Sequence, residues 1–346
     1  MSDFIRFSRE MGFQSVVVSK SLKNAVALPY YARLLTSWKH ADILLTVYPY
    51  FCYPTFRSNP LRAIDERLIR YLHASTNRIG SILYVVDLPI EQILSVQMQA
   101  SVDKKAHQIE REVFQSFDIL CVYNSQMKRF IIDRYDVSHD KFVEFEILDH
   151  GTAVVPPSEK TIGRSMRKIA YTGNWTKQYV GEWVRNLPKA ENITYEFTGM
   201  NWGWISDLGR SDVVNKGFMS DEGLLCYISV NADFGIIEMP LVRKEYSNYG
   251  STSKFGTYVA AGLPILVSSD CTYIASLVRK YGIGLLFNSL SEIPALIQNL
   301  SASEYGDMRR HCLELGQKLR TGYFFKQAVT TSLHKLSLLQ PDLPRS

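Results

Sequence analysis

Residues 248–267 read NYGSTSKFGTYVAAGLPILV. Small and hydroxyl residues, Gly250, Ser251, Thr252 and Ser253, lead through Lys254 into a short helical run. The run stops at Gly262, which accepts a left-handed cap, and Pro264 just beyond cannot continue a helix. The apolar triplet Ile265 to Val267 then reads as a buried strand. The order is loop, helix start, helix, tight turn, strand. At such a helix start, backbone N–H groups and the positive end of the helix dipole face the same space. Lys254 adds a full positive charge there and is expected at the surface. A diphosphate suits this place. An ordinary capped helix feeding a parallel strand has the same pattern, because Ser and Thr are common caps.

Size and composition bound what surrounds this stretch. At 346 residues the chain has room for two domains. A net charge of +5, with Lys and Arg spread along the chain, gives no nucleic-acid footprint. It fits anionic substrates and leaves peripheral contact with an anionic membrane surface open. No apolar run reaches the length of a membrane span, and the polar start MSDFIRFSRE is not a signal peptide. Five widely spaced cysteines without a CxxC pair favour free thiols in a reducing cytoplasm.

Read in order, the first half alternates helix and strand patterns. Helices are expected at Ser2 to Met11, Leu22 to Lys39, Leu61 to Leu72, Asp103 to Gln115 and Gln126 to Arg134. Strands are expected at Gln14 to Ser19, Asp42 to Val47, Ser81 to Val86, Ile119 to Val122 and Phe142 to Ile147. A break with two glycines and two prolines runs from Asp149 to Arg164. The second half resumes with strands at Lys168 to Tyr171, Ile193 to Thr198, Val213 to Phe218, Phe234 to Ile237 and Gly284 to Phe287. Its helices start near Lys177, Asp221 and Thr272, and three more close the chain at Glu292 to Leu300, Tyr305 to Leu319 and Tyr323 to Leu339. This is an α/β chain of two doubly wound, Rossmann-like domains, 1–150 and 165–320, followed by a C-terminal helical segment, 321–340. Two such domains imply a cleft, with ligand loops at the carboxyl ends of the strands.

The motifs KHADILLT (39–46), YVVDLP (84–89), FDILCVYNSQMKRFI (117–131), YTGNWTK (171–177), GFMSDEGLL (217–225), FGII (234–237), STSKFGTYVAAGLPILV (251–267), YGIGLLF (281–287) and KLRTGYFFKQ (318–327) occur in this order. As a set they resemble the GT-B glycosyltransferases. More narrowly, they resemble the bacterial group containing the streptococcal glucosyltransferase of serine-rich-repeat adhesins and the β-1,6-galactofuranosyltransferases. The resemblance runs over most of the chain, about Met11 to Leu336. It implies transfer of a hexose, glucose or galactofuranose, from a UDP-sugar to a glycan or glycoprotein acceptor, with the donor held by the second domain. Lys254 and Lys177 match basic positions facing the diphosphate, near Gly173 and Asn174. Ser251, Thr252 and Ser253 would supply donors, and Phe218 would meet the base or belong to the core. No Asp-x-Asp triplet occurs, so no metal and no cofactor are expected.

In the first domain, Asp87 ends a strand on the cleft side and is the candidate base, or it caps the next loop. Tyr48, Tyr50 and Tyr53 follow the strand DILLTV and could face an acceptor sugar, or pack at the core edge. Arg320, Tyr323 and Phe324 would dock the last helix across the interdomain seam. The group has a strand and a glycine-containing loop before the first helix. This chain starts at that helix, so either its start is set too late or the first strand is absent. That keeps open a non-catalytic GT-B-like partner of another transferase. Self-association and a place at the inner face of the membrane are also left open. A nicotinamide enzyme would need a GxGxxG after a strand, which is absent.

Overall fold

The structure is a computed structural model that describes residues 2–13, 43–48, 80–96, 104–158, 167–174, 177–238 and 244–339. It falls into two compact units, Met1–Glu146 with Phe324–Ser346, and Ile147–Tyr323.

In the first unit α1 is Ser2–Glu10, β1 Ile43–Tyr48, β2 Gly80–Val85, α2 Pro89–Val96, α3 Lys104–Ser116, β3 Ile119–Val122, α4 Ser125–Tyr135 and β4 Phe142–Glu144. The four described strands form a parallel sheet in the order β1-β2-β3-β4, with Ile43 opposite Gly80, Ile82 opposite Ile119 and Leu120 opposite Phe142. β2 and β3 are buried along their whole length, as continuous apolar strands covered on both faces should be. α3 buries Ala106, Ile109, Val113 and Phe114 at helical spacing. The Asn124 side chain caps α4 by accepting from Met127 N at 2.8 Å. Helix α2 was not legible, because eight residues opened by proline give little periodicity. The expected elements at 14–19, 22–39 and 61–72 lie outside the described residues.

The final helix, α11 (Tyr323–Leu339), packs on this first unit. Phe325 meets the rings of Phe4, Phe7 and Tyr84, Lys326 pairs with Glu10 at 2.7 Å, and Lys335 donates to Phe142 O.

The second unit runs β5 (Arg167–Thr172), α5 (Lys177–Arg185), β6 (Ile193–Thr198), β7 (Val213–Gly217), α6 (Asp221–Asn231), β8 (Phe234–Ile237), α7 (Ser253–Ala260), β9 (Ile265–Ser268), α8 (Thr272–Tyr281), β10 (Gly284–Phe287), α9 (Ile293–Gln298) and α10 (Ala302–Arg320). Its strands are all parallel in the order β10-β9-β8-β5-β6-β7. The chain winds outward from β5 to one edge, returns to β8, and winds to the other edge. The strand order therefore reverses between β5 and β8, which is the switch point of a doubly wound sheet. Tyr171, Trp183, Phe197 and Trp202 cluster on one face.

The expected break after residue 148 is built into this unit. Arg309, buried on α10, donates to Gly262 O at 2.7 Å and Pro157 O at 2.6 Å. A side chain on Gly256 would come within 3.4 Å of Leu148 O and His150 Cβ. Residues 147–158 thus brace helix α7.

Candidate functional site

The carboxyl ends of β5 and β6 are stitched together by backbone. Gly173 N donates to Thr198 O at 3.0 Å, and Gly199 N to Gly217 O at 2.9 Å. A Cβ on Gly199 would lie 2.2 Å from Gly173 O, and φ there is 131°, so only glycine fits. The exposed Asn174 accepts from Met200 N at 2.6 Å, and the Trp202 indole donates to Gly173 O at 2.6 Å. This fixes a dense floor at the end of β5.

Helix α7 begins over the same region. Thr252 is its N-cap residue, yet its side chain makes no capping bond, and its Oγ1 is buried with no hydrogen-bond partner among the described residues. Ser253 is exposed, and Gly250 and Ser251 are half-buried. Lys254 departs from expectation: it is 7% exposed, not at the surface. In this short helix Lys254 and the fully buried Tyr258 sit four residues apart on one face and turn inward together. The Lys254 ammonium stands 4.9 Å from the centre of the Tyr171 ring. Burial pulls its pKa down to about 8, and a nearby Cys271 acts the other way. The buried Tyr171 hydroxyl has no hydrogen-bond partner among the described residues.

The other donor-side candidates take different positions. Lys177 is the exposed first residue of α5, its ammonium 5.8 Å from the Trp204 ring. Gly173, Asn174 and Lys177 therefore group about the β5 and β6 ends, and Lys254 reaches the same end through Tyr171. Phe218 is 68% exposed, so it is not core. It follows β7, two strands from β5, about 10 Å along the sheet edge.

One residue of chemical interest escaped the sequence reading. Glu238 directly follows β8 at the switch point and accepts from the Trp183 indole, and burial raises its pKa. A lone glutamate after FGII carries no signal until the strand order is known.

In the first unit, Asp87 lies two residues past β2, at its carboxyl end, and its Oδ1 accepts from Leu88 N at 2.8 Å. That bond matches the capping alternative. Tyr48 needs correcting as a sugar platform. It is fully buried, packs edge-on against Phe114 and donates to Glu110 at 2.5 Å, so its ring is core. Its outward partners in that expectation, Tyr50 and Tyr53, lie outside the described residues. Cys121, Cys226, Cys271 and Cys312 are free thiols, and no described helix is long and apolar enough to cross a membrane.

Residues 169–332 match the family model described as "Glucosyltransferase 3-like, C-terminal domain". Glucosyltransferase 3 of Streptococcus gordonii is 32% identical over 211 residues, covering 53% of this chain and 62% of that protein. The chain thus spans less than two thirds of that relative. Among solved structures, a sucrose-phosphate synthase from Thermosynechococcus elongatus aligns over 91% of this chain and 79% of its own, with TM-score 0.62 and 12% identity. Anabaena HepE, solved in complex with UDP and glucose, aligns over 95% of this chain and 88% of its own, with TM-score 0.57 and 10% identity. The chain has the α/β fold of the GT-B glycosyltransferases and is similar in sequence to the streptococcal Glucosyltransferase 3 group, the family match covering most of its second unit and the start of α11.

Proposed function

We propose that the protein is a hexosyltransferase that takes glucose or galactofuranose from a UDP-sugar and passes it to a glycan or glycoprotein acceptor. The observation that carries this reading is the buried Lys254, placed in the first turn of α7 where the sheet order reverses. Its support is the similarity to Glucosyltransferase 3 together with the fold shared with HepE.

The chemistry follows from charge. As the bond between the anomeric carbon and the diphosphate oxygen breaks, negative charge builds on UDP. The Lys254 ammonium and the amides at the start of α7 stabilise that charge where it forms. Ser251, Thr252 and Ser253 border the same amides, and Thr252 Oγ1 is ready to donate. Gly173 and Asn174 form the floor, Lys177 adds a second charge, and Phe218 offers a face for the base. The acceptor oxygen bonds the anomeric carbon and loses its proton, with Asp87 as the base in this reading. Two cations and a helix dipole make a divalent metal unnecessary.

Calorimetric titration with UDP, UDP-glucose, UDP-galactose and UDP-galactofuranose, first with EDTA and then with magnesium, tests this. Binding that needs no metal is expected, and the preferred sugar names the donor. A folded chain that binds none of the four overturns the reading in favour of a GT-B-like partner protein.

A further inference from the structure

The strands at the switch point part earlier than their lengths require. β5 runs to Thr172 and β8 to Ile237, yet their described pairing is Ile169 with Phe234 and Ala170 with Gly235. In a parallel ladder of this register, the next rung would carry Thr172 N–H to the Ile236 carbonyl. A side chain occupies that gap. The Tyr258 hydroxyl accepts from Thr172 N at 3.0 Å and lies 3.1 Å from Ala170 O and 3.4 Å from Ile236 O, to one of which it donates. Thr172 Oγ1 is 3.4 Å away. A missing side chain lets the ring reach this point, since a Cβ on Gly235 would lie 2.4 Å from ring atoms of Tyr258. Phe at position 258 would fill the same space but leave the rung free to close.

We infer that Tyr258 is a positioning residue: its hydroxyl replaces one rung of the sheet, holds β5 and β8 apart at their carboxyl ends, and so sets where Lys254, one helical turn away, stands over Tyr171. The geometry is independent of any ligand. Its consequence for binding rests on the donor reading of Lys254.

The experiment compares wild type with Tyr258→Phe by two readouts. One is the pH profile of Lys254 acylation by acetic anhydride, followed by peptide mass spectrometry without nucleotide. Among the described residues Tyr171 and Cys271 face this lysine, and neither is altered in the variant. The other is UDP affinity by calorimetry. The variant is expected to keep its near-ultraviolet circular dichroism, to shift the acylation profile by about half a pH unit or more, and to bind UDP about tenfold more weakly. Gly235→Ala, which pushes the same ring off the sheet, is expected to move both readouts the same way and serves if Tyr258→Phe does not fold. Unchanged acylation and unchanged affinity in a folded variant overturn the inference. A shifted acylation profile with no UDP binding even by wild type supports the positioning role and overturns the donor reading instead.

Discussion

In each unit a helix buries a charged side chain, Glu110 of α3 and Lys254 of α7, and the two are treated in opposite ways. Glu110 of α3 is fully buried in the first unit. One carboxylate oxygen accepts from Tyr48 at 2.5 Å and the other from Tyr135, so both are satisfied within the core. Burial raises its pKa to about 7, the two hydroxyls oppose that rise, and Glu91 and Asp87 add to it. Lys254 of α7 in the second unit is nearly as buried, but it faces the aromatic ring of Tyr171, whose hydroxyl, like that of the N-cap Thr252, has no hydrogen-bond partner among the described residues. A buried polar group satisfied on every side holds a fold together. Buried hydroxyls without a partner among the described residues, beside a buried cation, suit a place where a ligand binds.

The sharpest test of the contrast is Glu110→Ala. It removes the carboxylate that accepts from the Tyr48 and Tyr135 hydroxyls, and a lost buried acceptor costs about 1–3 kcal/mol. Urea unfolding should show a loss of about 2–5 kcal/mol, while UDP affinity is untouched. A fall in affinity of similar size would erase the distinction between scaffold and site. Lys254→Met should do the reverse. It keeps the length and apolar stem and removes the charge, so UDP affinity drops about 100-fold. Stability should hold or rise, because a buried charge is gone. Unchanged affinity would end the assignment of this lysine.

Smaller effects follow from pH. Glu110 has a folded pKa above its ordinary 4.5, so its contribution is fully present below that value and is lost as pH rises through about 7. Lys254 has a folded pKa below its ordinary 10.5, so its contribution is present above 10.5 and is lost as pH falls through about 8. Stability profiles of Glu110→Gln and Lys254→Met should each flatten in its own window and leave the other window unaltered. UDP affinity should weaken above about pH 8 as the lysine loses its proton. The smallest change belongs to Phe218→Ala. The exposed ring contributes nothing to the core, so the melting temperature should stay put while UDP affinity falls about fivefold. Equal affinity would place the base elsewhere on the strand ends.

Local patterns made much of the second unit legible. Strands Ile193–Thr198, Phe234–Ile237 and Gly284–Phe287 and helix Lys177–Arg185 lie where period and punctuation place them. The stretch from Gly250 to Val267 resolves into loop, helix and strand, with the helix ending at Ala260 and Gly262 at φ 66°. What failed was burial. Lys254, at a helix start, reads as exposed from its immediate neighbours, and Tyr48, at a strand end, leaves a sugar platform and the core edge both open. In each case a residue distant in sequence, Tyr171 for the lysine and Glu110 for the tyrosine, draws the side chain inward.

The sequence by itself determined the alternation of elements, the glycines at tight turns, and the Gly-Ser-Thr-Ser-Lys start of α7, because these depend on residues within a few positions of one another. Only the tertiary structure decided that β5 and β8 are neighbours, that Tyr258 takes the place of a rung between them, that Glu238 stands at their ends, and that residues 147–158 brace α7. Those relations join segments up to about 150 residues apart, such as Pro157 with Arg309. They are set by which strands pair and where a missing side chain lets another ring approach, and no local pattern carries that information.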